Sequence, residues 1–215
     1  CGAEPPEVPE ISKLSESRAR AAFGELRPVS DGTRTPWRVR PSQMEPDNTQ
    51  EIRTRLITLD IPSQAMSLSS TASERGTVLH KALRVLLMRH DLRQRLASAT
   101  GLDEAILDAL QKHAFALRKW LAAEGYTRLD CEVPIQRRAP SGAEFNGVID
   151  LLAAGQGKHL IIDHKSGSGR FPHYSGKLQA YQGILAQRDG FERPEIAVHW
   201  IDRASLEIAL EGPAI

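Results

Sequence analysis

The sequence predicts an α/β fold in which a mixed sheet is flanked by helices. Apolar residues recur at helical spacing from about residue 67 to residue 125, alternate with a period of two from residue 129, and return to helical spacing between later strands. The resulting order of elements is α, α, β, β, β, α, β, β. Such an order is typical of a sheet with helices packed on its faces.

Two helices are predicted ahead of the strands. In the segment 77–88, leucines recur so that they lie on one stripe, as expected of a helix that buries one face. A second helix is predicted over 103–124. Gly125 is a natural stop for it, because glycine readily adopts the left-handed conformation that ends many helices.

From residue 129 the period of two is typical of strands. The predicted elements are, in order, strands over 129–137, 144–153 and 159–165 with turns at 140–142 and 155–157, a helix over 174–188, and strands over 195–201 and 205–210.

Residues 1–66 are predicted to form a proline-rich linker or arm from a preceding domain, and residues 67–215 a globular domain. The first 62 residues hold eight of the thirteen prolines, and their one helix candidate, over 12–26, is short. Cys1 in place of a starting methionine is expected of a fragment of a longer protein. A mature lipoprotein, which Gly2 would suit, is the less favoured alternative.

Composition narrows the functional classes. Apolar residues at 40% and charged residues at 26% suit a globular protein, and no run approaches the ~18 apolar residues of a membrane span. The 28 Lys and Arg nearly balance the 27 Asp and Glu, so a globally basic nucleic-acid surface is not expected. Two cysteines are too few for a disulfide scaffold or an iron–sulfur cluster, and a reduced Cys131 favours the cytosol.

The strongest functional signal is a pair of acids in apolar strands. Asp150 interrupts one predicted strand, and Asp163 lies near the end of the next. A short turn between antiparallel strands brings the two carboxylates together. Like charges in contact raise each other's pKa unless a cation separates them. A hard divalent ion such as Mg²⁺ is the expected cation because it prefers carboxylate oxygens.

Lys165 follows Asp163 at a spacing of two, so both side chains lie on one face of the strand. Beside a metal, an Asp-x-Lys pair can hold a phosphate and activate water for attack on phosphorus. For either acid alone, the alternative is an ordinary strand-end charge paired with Lys165 or an arginine. The three residues together favour the metal site.

These motifs, in this order, resemble the RecB-like nuclease domain of PD-(D/E)XK nucleases, which lies at the C-terminus of AddA and RecB helicase-nucleases. The similar segments are 75–83 for the Gly-x-x-x-His-x-x-Leu helix, 132–134 for the Glu-x-Pro strand, 147–150 for the Gly-x-Ile-Asp strand, 163–165 for the Asp-x-Lys strand and 174–181 for the Tyr-x-x-Gln-Leu-x-x-Tyr helix. The chain departs from the last motif, because Lys177 stands in place of the glutamine.

The resemblance implies a restriction-endonuclease-like core and a Mg²⁺-dependent deoxyribonuclease, with Mn²⁺ as a substitute and no iron–sulfur cluster. The implied catalytic residues are Asp150, Asp163 and Lys165. The implied metal ligands are His80, Asp150, Asp163, the main-chain carbonyl of His164 and Glu132. Glu132 would hold a second metal or a metal-bound water; its alternative is a solvated strand-end acid.

Basic segments flank these residues, as expected of sequence-independent phosphate contacts. Between residues 75 and 95 there are six Lys or Arg and one acid. The implied DNA-binding residues are Arg75, Arg170, Tyr174, Lys177 and Tyr181. A solvated basic helix face explains 84–95 equally well, and Tyr181 is expected to pack rather than to stack on a base.

The implied parent is a recombinational-repair helicase-nuclease that processes double-strand breaks in the bacterial cytoplasm, close to the nucleoid. Its nuclease would act as an exonuclease on DNA ends or single strands. The implied partners are DNA, the chain's own helicase motor domains and an AddB-like or RecC-like subunit, with no membrane. The alternative is a catalytically weak or inactive nuclease-fold module that binds DNA or a partner subunit, and Lys177 leaves this open. A stand-alone exonuclease is a third possibility.

Overall fold

A mixed seven-stranded sheet forms the centre of the fold. The computed structural model describes residues 38–39, 52–63, 72–138, 142–167 and 169–210, with the backbone alone at 39 and 72–75. All of them belong to the second of two units into which the chain divides, Pro36–Ile215. The helix predicted over 12–26 lies outside the described residues, as do residues 140 and 141 of the first predicted turn.

The described helices and strands are, in chain order, β1 (Arg38–Val39), β2 (Thr54–Thr58), α1 (Ala72–Met88), α2 (Arg93–Thr100), α3 (Glu104–Ala123), β3 (Arg128–Arg138), β4 (Glu144–Gly155), β5 (Lys158–Lys165), α4 (Pro172–Leu185), β6 (Glu195–Trp200) and β7 (Ser205–Ala209). Short 3-10 turns at His90–Leu92 and Ile201–Arg203 connect some of them. No helix among these residues combines the length and apolar character that crossing a membrane requires.

Strand β4 organises the sheet. On one edge it pairs along its length with antiparallel β3. The other edge is shared, because β5 pairs antiparallel with its second half and β1 pairs parallel with its first two residues. Beyond β5 come parallel β6 and antiparallel β7 and β2. Helix α4 makes the crossover between the parallel strands β5 and β6. The predicted α/β class is therefore confirmed.

The sheet buries a hydrophobic core on each face, and the alternation of β5 separates the two. Leu160 and Ile162 belong to the core that the leucines of α1 and α3 fill, whereas Ile161 belongs to the core under α4. The same alternation puts His164 on the α1–α3 face and places Asp163 and Lys165 on the α4 face.

The predicted helices and strands from residue 77 onward are confirmed, because each carries a clear apolar period. Asp103 caps α3 by accepting a 2.8 Å hydrogen bond from the main-chain N–H of Ile106, and Gly125 follows its end with a φ of 83°. Helix α2 was not predicted. Its sequence is mostly polar, and Leu96 is its buried residue, so the segment shows no periodicity.

The predicted boundary of the N-terminal arm requires a correction. Strand β2 pairs with β7, and Leu59, just after it, is 3% exposed in the α1–α3 core. Residues 52–63 therefore belong to the folded domain, and the two residues of β1 also join its sheet. Both strands are short edge strands, which show little alternation in sequence. The arm assignment of the other residues up to 66 lies outside the described part of the chain and stays a prediction.

Two glycines should respond oppositely to substitution by alanine. A Cβ at Gly155 would lie 2.2 Å from the carbonyl oxygen of Gly125 and 2.9 Å from the nitrogen of Thr127, and backbone on that side cannot yield. Exposed Gly183, inside α4, has nothing within 4 Å of the added atom. We expect Gly155→Ala to lower the free energy of unfolding by about 2 kcal/mol or more. Gly183→Ala should raise it by about 0.5–1 kcal/mol.

Urea unfolding of both variants beside the native protein measures these changes. An unchanged midpoint for Gly155→Ala would contradict the close passage of residues 125–127 over the end of β4.

Candidate active site

Asp150 lies where β4 separates from β5. The ladder between these strands ends at the pair Leu151 and Ile162. Beyond it, the main-chain N–H of His164 donates to Oδ2 of Asp150 at 2.9 Å. Ile149 and Leu151 are buried in different cores although they lie two residues apart, so β4 turns here relative to the sheet. The carboxylate thus caps the open end of the β4–β5 ladder.

Asp163 is a buried carboxylate with an ammonium group on each oxygen. Its exposure is 2%. Lys165, from the same face of β5, places Nζ 2.5 Å from Oδ2, and Lys177, from α4, places Nζ 2.6 Å from Oδ1. The Lys165 ammonium also donates to the main-chain carbonyl of His164 at 3.2 Å. Strand and helix together neutralise this one acid.

The surroundings shift the pKa values of the two carboxyl groups in opposite directions. Burial raises the pKa of Asp150 above its ordinary value, and the negative charge of Asp163 raises it further. Burial would also raise the pKa of Asp163, but Lys165 and Lys177 hold it below its ordinary value. Asp163 is therefore the permanent anion of the pair, and Asp150 is the member that most needs an additional cation.

His80 reaches the acid pair from the opposite face of the sheet. Its Nδ1 lies 3.9 Å from Oδ2 of Asp150. Burial, followed by the charge of Lys165, lowers the pKa of His80 to about 4, so the imidazole is neutral at pH 7. A neutral ring nitrogen is the form that binds a metal ion.

Glu132 is engaged outside the acid pair. Glu132 falls between the pairs Cys131–Leu151 and Val133–Ile149 of the β3–β4 register, and its φ of 54° interrupts the regular strand. Its carboxylate lies 3.4 Å from Nη1 of Arg84, on α1, and the side chain is half-exposed. To bind the second metal that the resemblance implies, Glu132 would have to leave its present partner, Arg84.

The residues implied for DNA binding occupy different environments. Arg170 is exposed just before α4. The half-buried ring of Tyr174 lies 5.0 Å from the Lys165 ammonium, beside the acid pair. Tyr181 is 2% exposed and donates to the carbonyl of Val148 at 2.9 Å. Tyr181 therefore packs in the core under α4, as expected, and is not a base-stacking surface.

Lys177 and Arg75 are the two remaining residues implied for DNA binding. Lys177 was assigned to DNA, whereas the structure places its ammonium on Asp163. The physical reason is proximity, because α4 packs against the face of β5 from which that buried carboxylate projects. The side chain of Arg75 lies outside the described part of the structure.

The donor set suits a hard divalent ion, since Asp150, Asp163 and the His164 carbonyl supply oxygens and His80 a nitrogen. Within the described ranges, however, no three His, Cys, Asp or Glu side chains converge as a preassembled metal cluster. The ammonium groups of Lys165 and Lys177 lie against the two oxygens of Asp163. A metal bound here would share that carboxylate with at least one of them.

Two residues that contact the end of β5 and the turn after it were not predicted from the sequence. His199, on β6, is fully buried, and its Nδ1 lies 3.0 Å from Nδ1 of His164. Asp202 accepts a hydrogen bond from the main-chain N–H of Gly167, which fixes the turn after β5. A histidine inside the apolar run 195–200 was the available signal, but its partner depends on the parallel register of β5 and β6.

An apolar pocket of about 370 Å³ lies apart from the acids. It is lined by residues of α3 and of the chain at the end of β2: Thr58, Leu59, Asp60, Ile61, Lys112, Phe115, Ala116, Lys119, Trp120 and Ala123. None of these residues belongs to the group formed by Asp150, Asp163, Lys165 and Lys177.

The fold is of the restriction-endonuclease-like α/β type, and comparison with known proteins identifies the family. A family model described as the PD-(D/E)XK nuclease superfamily matches residues 55–201, well over half of the chain. The chain therefore belongs to the PD-(D/E)XK nuclease superfamily.

The other comparisons add little to this assignment. No curated protein matches the chain in sequence. A solved structure titled "Crystal structure of SSO0001" is 21% identical, covers 63% of this chain and 67% of its own, and has a TM-score of 0.31.

The buried histidine His113 predicts that the stability of the fold falls at acidic pH. His113, on α3, is 1% exposed and, among the described residues, neither of its ring nitrogens has a hydrogen-bond partner. Burial lowers its pKa from 6.5 to about 4. Between these values the unfolded state binds the extra proton, so stability rises with pH and is lost as the pH falls from 6.5 towards 4.

We expect His113→Leu to weaken this dependence. Relative to the variant, the native protein should lose up to about 1.4 kcal/mol of unfolding free energy per pH unit in this window. Urea unfolding at pH 7, 6, 5 and 4.5 measures the difference, with His173→Gln, at an exposed histidine, as the control. Parallel pH profiles for native protein and His113→Leu would contradict a buried neutral imidazole.

Proposed function

We propose that this chain is a metal-dependent deoxyribonuclease domain that hydrolyses phosphodiester bonds, with Mg²⁺ as its cofactor and Mn²⁺ as a substitute. One observation carries the proposal: Asp163, Asp150 and Lys165 meet at the end of β5 in a chain that belongs to a nuclease superfamily. The choice of DNA as substrate and of Mg²⁺ as the ion belongs to the proposal.

The proposed roles follow from the contacts. Asp150, Asp163 and the main-chain carbonyl of His164 hold the ion, together with the neutral imidazole of His80. When bound, a divalent ion polarises the phosphoryl oxygen and lowers the pKa of a water molecule. The Lys165 ammonium, between Asp163 and the His164 carbonyl, orients the attacking water and stabilises the charge that develops on the phosphate.

The DNA backbone is proposed to approach along the start of α4. Arg170 is exposed there, and Tyr174 lies beside Lys165, so a phosphate near the acid pair has a cation and an aromatic edge next to it. Arg84, whose side chain is 40% exposed, borders the site on the α1 side. These contacts carry no base readout, which fits a sequence-independent nuclease.

The narrower part of the proposal rests on the order of the RecB-like motifs. In it the domain is an exonuclease of a bacterial helicase-nuclease in double-strand-break repair and recombination. It acts in the cytoplasm on DNA ends or single strands that helicase motor domains deliver, and works with an AddB-like or RecC-like subunit.

A second candidate function is a nuclease-fold module that binds DNA or a partner subunit without efficient cleavage. The observation that favours it is the pair of ammonium groups on Asp163, together with the absence of a preassembled three-ligand cluster among the described residues. In that case the lysines would neutralise Asp163 permanently.

A degradation assay distinguishes the two functions. End-labelled linear single-stranded and duplex DNA, and circular single-stranded DNA, are incubated with native protein and Mg²⁺ or Mn²⁺. We expect degradation of linear substrates, sparing of the circle, and loss of activity with EDTA. Asp150→Asn and Lys165→Met should each lower the rate at least about 100-fold, because each removes transition-state stabilisation of several kcal/mol.

Glu192→Gln, at an exposed acid before β6, is the matched control and should keep native activity. Thermal melts establish that each variant is folded. Equal degradation by the native protein and both site variants would overturn the nuclease assignment of this site. Native protein that retains DNA in a filter-binding assay but leaves every substrate intact would instead support the binding module.

A further inference from the structure

Lys177 is a fixed positive charge inside the proposed metal site. Its Nζ lies 2.6 Å from Oδ1 of Asp163 and 5.5 Å from the centre of the Tyr181 ring. The side chain is 22% exposed, and it comes from α4 rather than from the strand that carries Lys165. In the RecB-like helix motif that residues 174–181 resemble, this position is a neutral glutamine, whereas this chain has a lysine.

The charges of the site balance before any metal enters. Two carboxyl groups, those of Asp150 and Asp163, lie beside two ammonium groups, those of Lys165 and Lys177. Without Lys177, the same group would be anionic and would attract cations more strongly. One divalent ion makes the native group dipositive, which matches the charge that develops on a phosphodiester under attack. A second would add two more charges close to a buried carboxylate, where repulsion is poorly screened.

Glu132, the ligand that the resemblance implies for a second ion, already has a partner. The Glu132 carboxylate lies 3.4 Å from Nη1 of Arg84 rather than against Asp150. Moving it to a metal would leave the Arg84 guanidinium without this partner and beside further positive charge. This observation is independent of Lys177 and points to the same number of ions.

We propose that Lys177 takes the place of a second divalent ion, so that this site binds one metal ion and completes its charge with two lysines. In two-metal phosphodiesterases the second ion stabilises one of the reacting oxygens. Here the Lys177 ammonium supplies that positive charge from α4. The inference rests on the proposed function, because it assumes that the acid pair binds a divalent ion.

Metal stoichiometry tests the inference without any cleavage assay. The full chain, freed of metal with EDTA and dialysed, is titrated with Mn²⁺ by calorimetry, and free Mn²⁺ is followed by electron paramagnetic resonance. We expect one Mn²⁺ per native chain. Lys177→Gln should bind its first Mn²⁺ at least about tenfold more tightly, because a like charge near the ion is removed, and should bind a second Mn²⁺.

Two variants control for other effects of the substitution. Lys177→Arg keeps the positive charge and should keep one Mn²⁺ per chain. Lys119→Gln makes the same charge change at an exposed residue of α3 that lines the separate pocket, and should leave Mn²⁺ binding unchanged. Thermal melts show which variants are folded, and the native stoichiometry tests the inference whether or not Lys177→Gln folds.

The outcomes separate this inference from the proposed function. Two Mn²⁺ per native chain, or identical binding by native protein and folded Lys177→Gln, would overturn the role of Lys177 and leave the nuclease proposal standing. No Mn²⁺ bound by the native protein or by any folded variant would overturn the metal site itself, and the inference with it.

Discussion

The carboxylate of Asp163 is 2% exposed and lies between two ammonium groups, one from its own strand and one from α4. Removing a carboxylate from water costs several kcal/mol unless partners compensate. Lys165 and Lys177 supply that compensation, and in doing so they tie α4 to the end of β5. A site with two acids can therefore exist inside a folded domain before any metal binds.

Helices from both faces of the sheet reach this ion-pair cluster. Because β4 leaves β5 at Asp150, the ladder opens there, and the Asp150 carboxylate accepts the N–H of His164. His80 then approaches from the α1 face, while Lys177 approaches from the α4 face. A continuous ladder would have kept these two side chains on opposite sides of the sheet.

How much of the site could be predicted from sequence depends on how local each relation is. Asp163 and Lys165 share a face because of strand geometry over three residues. The helix that carries His80 is predicted by its leucine stripe. The contacts of Lys177 and Glu132 depend instead on how α4 and α1 dock on the sheet. No period in the sequence encodes those docking distances. Strands β1 and β2 were missed for a related reason, because their stability comes from distant partners.

Lys177 also connects the two proposed functions. In the proposed metal site, the Lys177 ammonium on Oδ1 of Asp163 would compete with the ion for the same negative charge, so the ion pair that stabilises the metal-free site would also weaken metal binding. If physiological Mg²⁺ overcomes that competition, the lysine becomes part of the catalytic charge. If it does not, the cluster remains a structural ion pair. Catalysis and simple binding thus differ here by the free energy of exchanging one cation for another at a single carboxylate.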